Sequence, residues 1–429
     1  MKVNGIIAEY NPFHNGHFYH MTESLNRTGA DYTIVVMSGN FMQRGAPALL
    51  DKHTRAMMAL QCGADLVLEL PALYATASAE YFAAGGVALL DKLGVVTNLC
   101  FGSEYGDADL LREIATILSN ESKEYSATLK RFLSQGFSYP NARNWALVQH
   151  YPHLNEHQKV FSSPNNILGI EYCKALLARE SSISPITIKR TGGEYHSRGR
   201  DQQLCSALAI RHALQEGCDI AKVTRHMPPA AGEILANYLE CHVGLNTNDF
   251  SALLYYKLLS EHEKGYEEYL DVSADISDRI RKRLREFTDY ESFCDLLKTK
   301  EVTHTRIGRC LLHILLNITK DDMEFGKSLD YVPYARVLGF RKESTGLLGA
   351  IKEHSSIPLI SKLADAEQVM DEDAYQLLKK DILISEIYQG VSREKFRTGR
   401  DIPRGKTADT SAATTAFCKN EFTTPIVIV

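Results

Sequence analysis

The sequence predicts an α/β fold, a parallel sheet covered by helices, followed by a mainly α-helical region. Three observations lead there. Short apolar runs that suit buried strands alternate with stretches of helical spacing up to about residue 190. The turns after those strands are rich in Gly, Ser, Asn and Pro. Beyond about residue 220 the strand pattern stops and long amphipathic stretches take over. Strand and helix in alternation build a parallel sheet, because each crossover must return the chain to the same end of its neighbour.

Val3 to Ile7 reads as a buried strand, and Ala8-Glu9-Tyr10-Asn11-Pro12-Phe13-His14-Asn15-Gly16-His17 turns it into a helix marked by Phe18, Met21 and Leu25. Pro12 and Gly16 force a tight loop, and Asn11 and Asn15 can cap a helix start. The first amides of a helix are unpaired and its dipole favours an anion, so His14 and His17, three residues apart, add donors at a predicted phosphate site. A capping or packing role is the alternative for both histidines. The pattern repeats: strand Tyr32 to Met37, polar turn Ser38 to Gly45, helix Asp51 to Cys62; then strand Asp65 to Leu70, helix Ser78 to Gly94, and strand Asn98 to Phe101 ending in Gly102-Ser103-Glu104. Asp107 to about Pro152 is helical and charged, holds Trp145, and reads as an insertion over about 107–160. Ser163-Pro164-Asn165-Asn166 opens another helix. Ile186 to Lys189 is the last strand; it ends at Arg190, whose planar fork suits phosphate, a solvated loop arginine being the alternative. Ser206 to Arg211 starts one more helix. Ligands of open parallel sheets bind beyond the carboxyl ends of the strands, where His14, Ser38 to Gly45 and Gly102 to Glu104 converge.

Composition narrows the classes. A chain of 429 residues can bury two or three cores without staples. Nine cysteines without a CxxC pair or a Cys/His cluster support neither a metal site nor a disulfide framework, and a reduced cytoplasmic setting fits. The start runs straight into the first strand, so no signal peptide is expected, and no uncharged run approaches the ~20 residues of a membrane span. A net charge of -5 means that any nucleic-acid partner meets a local basic patch.

Such patches lie after residue 220: Arg279 to Arg285 including Arg283, then Lys298, Lys300, His304, Arg306 and Arg309, then Arg336, Arg341, Lys342 and Lys352, and a basic run from Arg393 to Lys406. Arg306, Arg309 and His313 fall on one helical face opposite Ile307, Leu311, Leu312, Leu315 and Leu316, so the prediction is one basic face and one core face. A solvated helical surface is the alternative for any single cluster; jointly they suggest an RNA-tracking surface. The residues over 406–429 are expected to form a loosely ordered tail.

A His-x-Gly-His turn after the first strand is the signature of the nucleotidyltransferase superfamily that includes class I aminoacyl-tRNA synthetases. The set GIIAEYNPFHNGH, VMSGNFMQRGAPA, ADLVLELP, FGSEYGD, SPNNILGIEY and SALAIR, in this order, resembles the bacterial tRNA(Met) cytidine acetate ligase family over nearly the whole chain. The resemblance implies a Rossmann-like nucleotidyltransferase core over 1–220, a helical tRNA-binding domain over 221–405, and no resident cofactor or metal. It implies activation of acetate by ATP, with Mg2+ carried on the triphosphate, and transfer of the acetyl group to N4 of the wobble cytidine of elongator tRNA(Met). By carry-over His14 and His17 are catalytic. The ATP site is Ile7, Ala8, Glu9, Tyr10, Asn11, Pro12, Phe13, His14, Asn15, Gly16, His17, Phe18, Tyr19 and His20, with Gly102, Asn165 and Arg190. Ser206 and Arg211 are the candidate phosphate contacts of the last helix start, where this chain has Leu208 and Ala209 in place of the family's small hydroxyl residues. Arg283, Lys300, Arg306, Arg309, Arg341 and Lys342 are the RNA candidates. No membrane and no obligate protein partner are expected. A small-molecule adenylyltransferase or acid-activating synthetase on the same core is the alternative, against which the large basic region speaks.

Overall fold

The computed structural model describes residues 1–137, 139–161, 163–190, 206–398 and 420–429. In chain order its strands are β1 (Val3–Ala8), β2 (Tyr32–Ser38), β3 (Phe41–Met42), β4 (Ala46–Pro47), β5 (Leu66–Leu70), β6 (Asn98–Ser103), β7 (Ser184–Lys189), β8 (Ala335–Phe340), β9 (Leu359–Ile360) and β10 (Val427–Ile428). The main sheet runs β10-β8-β5-β2-β1-β6-β7, with β9 paired to β8; β3 and β4 form a separate antiparallel pair. β5, β2, β1, β6 and β7 are mutually parallel, so the predicted alternation produces the predicted sheet.

Both faces of the central strands are buried. On one side Gly5 and Ile7 pack against the helix Ala79–Lys92, where a side chain at Gly86 would collide with Ile7. On the other, Ile6, Val35 and Met37 meet Met21 of the helix Asn15–Thr28 and Ala56 and Ala59 of the helix Lys52–Gln61. The carboxyl ends of β1, β2, β6 and β7 therefore open together on one edge, which is where a ligand crevice forms. The stretch expected to be an insertion holds the helices Ala108–Ser119, Lys123–Ser134 and Tyr139–His150 and the 3-10 segment Pro152–Phe161.

Two expectations are corrected here. The region after 220 is not free of strands: β8 joins the main sheet antiparallel to β5, with Val67 opposite Gly339. Its short apolar run gave no signal of which strand it would meet. The tail expected to be loose is ordered over 420–429: β10 pairs with β8, Lys342 N donates to Val429 O at 2.9 Å, and Glu421 is buried against Lys52 at 2.8 Å. Gly339 makes that pairing possible, since a Cβ there would stand 2.5 Å from Val427 O. The remainder of that tail, 406–419, lies outside the described residues. No helix among the described residues is long and apolar enough to cross a membrane.

Candidate active site

The loop after β1 is held from every side. Tyr10 adopts φ 48°, a left-handed backbone that is uncommon for a side chain of its size. Asn11 Oδ1 accepts from Leu49 N at 2.8 Å, Arg211 Nη1 donates to Asn11 O at 2.6 Å, and Asn15 N donates to His226 O at 3.0 Å. Glu9 Oε1 accepts from Gln43 N at 2.8 Å, which ties this loop to the one after β2. Arg55, fully buried, fixes both loops by donating to Glu9 O at 2.8 Å, Ser38 O at 3.0 Å and Gly39 O.

His14 is the N-cap of the helix Asn15–Thr28, and His17 completes a reciprocal cap. His14 Nδ1 accepts from Gly16 N at 2.9 Å, and His17 Nδ1 accepts from His14 N at 3.2 Å. An imidazole nitrogen that accepts carries no proton, so both neutral rings hold theirs on Nε2 and keep it as a donor for a ligand. The rings stack at a centroid distance of 3.8 Å, and Tyr10 meets His17 edge-on at 4.9 Å. Burial, with Arg190 second, lowers His14 to about 4 and His20 to about 4. Burial, reinforced by His14, His20 and Arg190, holds His17 well below the ordinary histidine range. All three are neutral at pH 7, so the crevice offers N–H donors and leaves the cationic role to Arg190. The capping role raised as the alternative is real, and it is what aims the donors.

Arg190 follows β7, donates its backbone N to Ser103 O at 2.8 Å and lies over Gly102, where a Cβ would stand 3.4 Å from Arg190 Cγ. It is exposed and forms no ion pair among the described residues. Asn165 sits at the start of the helix Pro164–Ala178 with its Nδ2 donating to Glu104 Oε1 at 2.6 Å. Glu104 also accepts from Asn165 N and Asn166 N, so it fills that helix start itself. Arg190 thus lies near His14, His17 and His20 and over Gly102, while Asn165 is held by Glu104 just after β6, at the crevice expected beyond the strand ends. Ile7 and Ala8 end β1 below it; Tyr10, Asn11, Pro12 and Phe13 are buried as its floor and frame; Asn15, Gly16, Phe18 and Tyr19 are exposed on the helix start. Ser206 and Arg211 have other partners: Ser206 Oγ caps the helix Ala207–Gln215 by accepting from Ala209 N at 3.2 Å, and Arg211 holds the Asn11 carbonyl.

The RNA candidates separate. Arg306 is exposed on the helix His304–Leu316, whose Gly308 packs under Gly45; Gly45 has φ 78° and a Cβ there would stand 2.4 Å from Arg309 N. The predicted basic face is otherwise overturned. His313 is fully buried between Leu270 O at 2.9 Å and Thr76 O at 3.0 Å, and Arg309, 16 % exposed, is paired with Asp271 at 2.7 Å. Arg283 pairs with Glu286 at 2.7 Å, and Lys300 is exposed in a loop. Arg341 and Lys342 follow β8, which is antiparallel to β5, so they lie at the end of the sheet away from the crevice.

Sequence reading missed Arg55 and the buried cluster of Lys52, Glu69, Glu421 and Ser385 that supports Gly39 and Asn40. A signal existed: Lys52 and Arg55 lie on the same helical stripe as Ala56 and Ala59, so two charges occupy the apolar face.

The sequence profile of the HIGH Nucleotidyl Transferase family matches residues 1–401. The tRNA(Met) cytidine acetate ligase of Acetivibrio thermocellus is 40% identical over 90% of this chain and 94% of its own, and that of Thermoanaerobacter sp. is 41% identical over 94% and 98%. Crystal structures of Thermotoga maritima TmcAL superpose at a TM-score of 0.83 with alpha-thio ATP bound and 0.85 in the apo form I, each at 33% identity over 91% of this chain and 95% of that one. With this likeness over nearly its whole length, the chain belongs to the HIGH nucleotidyltransferases and, among them, to the tRNA(Met) cytidine acetate ligase family.

Proposed function

We propose that this chain activates acetate with ATP as acetyl-adenylate and transfers the acetyl group to N4 of the wobble cytidine of elongator tRNA(Met), releasing AMP and pyrophosphate. The observation that carries the reading is the stacked, neutral His14 and His17 pair at a helix N-terminus facing Arg190. A carboxylate is a poor electrophile, so acetate must first become a mixed anhydride. Its oxygen attacks the α-phosphorus and pyrophosphate leaves. Such a step asks the protein for alignment and for donors at the phosphate oxygens where charge builds up. The two Nε2–H groups and the amides of the helix start supply donors, and Arg190 supplies the charge. Mg2+ accompanies ATP on its phosphates. In the second step the exocyclic amine of the cytosine attacks the acetyl carbon and AMP departs. Exposed Arg306 beside the loop after β2 favours an RNA substrate approaching across this edge. The use of ATP and tRNA as substrates favours the cytoplasm as the place of this work.

The test is acetate-dependent exchange of pyrophosphate into ATP by the purified protein, followed by mass spectrometry of tRNA(Met) for N4-acetylcytidine. Exchange with acetate and modification of that tRNA are expected. Exchange without any tRNA product would turn the reading toward a small-molecule synthetase.

A further inference from the structure

Trp145 is the sole tryptophan of the chain and is 50% exposed on the helix Tyr139–His150, an uncommon place for so large an apolar side chain. It does not stand on a bare surface. Asn141, Asn144, Trp145 and Val148 follow i, i+3, i+4, i+7 spacing and so share one face. With Gln158 and Lys159 of the 3-10 segment Pro152–Phe161 they line a cavity of about 360 Å³. Asn141, Asn144 and Gln158 contribute side-chain amides to the same lining. Across the elements Lys123–Ser134, Tyr139–His150 and Pro152–Phe161 five basic residues, Lys123, Lys130, Arg131, Arg143 and Lys159, stand against two carboxylates, Glu124 and Glu156, in a chain that is acidic overall. His157, next to Gln158, shares a 2.8 Å hydrogen bond with Tyr105, whose neighbour Glu104 holds Asn165, so bonded contacts link the segment Pro152–Phe161 to the stretch after β6.

An aromatic plane, amide groups that read a base edge and local positive charge are how proteins hold an unstacked RNA base. We infer that this cavity receives an unpaired nucleobase of the substrate RNA, stacked on Trp145 among the side-chain amides of Asn141 and Gln158, and so orients the neighbouring nucleotide toward the crevice. The inference rests on the RNA-directed reading above and adds a positioning site on the helical stretch over 107–160.

The sole tryptophan reports on its own site. The intact protein is titrated with a stem-loop RNA carrying an unpaired cytidine in its loop, following tryptophan emission and, in parallel, the anisotropy of the end-labelled RNA. Saturable quenching with the same midpoint as the anisotropy is expected. Trp145→Ala should raise the KM for tRNA in acetyl transfer roughly tenfold, within the range of base-aromatic stacking, while acetate-dependent pyrophosphate exchange stays at the parent's rate. Trp145→Phe should recover most of the loss, which a merely structural role would not require. RNA binding without any change in emission, or quenching by ATP alone at the same midpoint as its exchange kinetics, would overturn the assignment. Absence of RNA binding would overturn it together with the tRNA reading, and loss of exchange in the parent protein would identify a failure of the acetate reading instead.

Discussion

His14→Asn and His14→Ala separate the two tasks that one imidazole combines. Its Nδ1 accepts from Gly16 N at 2.9 Å and caps the helix, while its Nε2–H faces the crevice as a donor. Loss of a cap costs about 0.5–2 kcal/mol, and Asn is among the best replacements. If a chain of 429 residues unfolds as one unit, its unfolding entropy near 60 °C sums to roughly 0.9 kcal/mol/K, so the Ala variant should melt only about 1–2 °C below the parent. The Asn variant should lie within about 1 °C. Both lose the donor, and pyrophosphate exchange should fall about 100- to 1000-fold in each, the loss seen when one transition-state donor is removed. Acid adds a second readout. Burial lowers His14 to about 4 from 6.5. Between those values the unfolded chain takes up a proton that the folded chain refuses, so stability falls as pH drops through that window, by about 3 kcal/mol when complete. The Asn variant lacks this penalty and should gain on the parent steadily from pH 7 to pH 4.5 in urea midpoints. An Asn variant that exchanges pyrophosphate at the parent's rate would refute the donor assignment, and parallel pH curves would refute the buried neutral state.

Arg190→Ala should raise the ATP concentration needed for half-maximal exchange about tenfold or more with little change in melting, since Arg190 is exposed and unpaired among the described residues; an unchanged ATP dependence returns it to a solvated loop. Arg306→Ala should weaken tRNA binding and make the log-log salt slope shallower by about 0.7–0.9, with exchange intact; equal binding at every salt concentration would place the RNA surface elsewhere. Arg309→Ala should instead cost about 1.5–3 kcal/mol of stability by stripping Asp271 of its 2.7 Å partner, and a variant as stable as the parent would show that the pair contributes nothing. In Glu421→Gln, Lys52 and Arg336 would lose one of the buried carboxylates that balance them, leaving Glu69 and Asp381, and the urea midpoint should drop by the equivalent of about 3–5 kcal/mol at unchanged slope; an unmoved midpoint would show that the Glu421 ion pair contributes nothing.

What the sequence determined by itself is local. Val3 to Ile7, Tyr32 to Met37 and Asn98 to Phe101 read as buried strands because apolar runs bounded by breakers have few other uses, and the His-x-Gly-His turn announced a helix start with two spare donors. The position of Arg190 at a strand end followed from the same logic. What only the tertiary structure decided depends on partners far away in the chain. Arg309 and His313 have the spacing of an exposed basic face, yet Asp271 and the carbonyls of Leu270 and Thr76 draw them inward. Glu421, in a stretch of low complexity, reaches a buried lysine more than three hundred residues earlier, and β8 and β10 extend the sheet through pairings that no short window contains. Arg55 shows the same limit within the site: its charge on an apolar stripe is visible, but the four carbonyls that satisfy it, those of Glu9, Ser38, Gly39 and Leu50, come from separate stretches of chain. Periodicity reports which face of an element is buried, because that depends on neighbouring residues. It is silent on which distant group satisfies a buried charge, because only the assembled fold brings the two together.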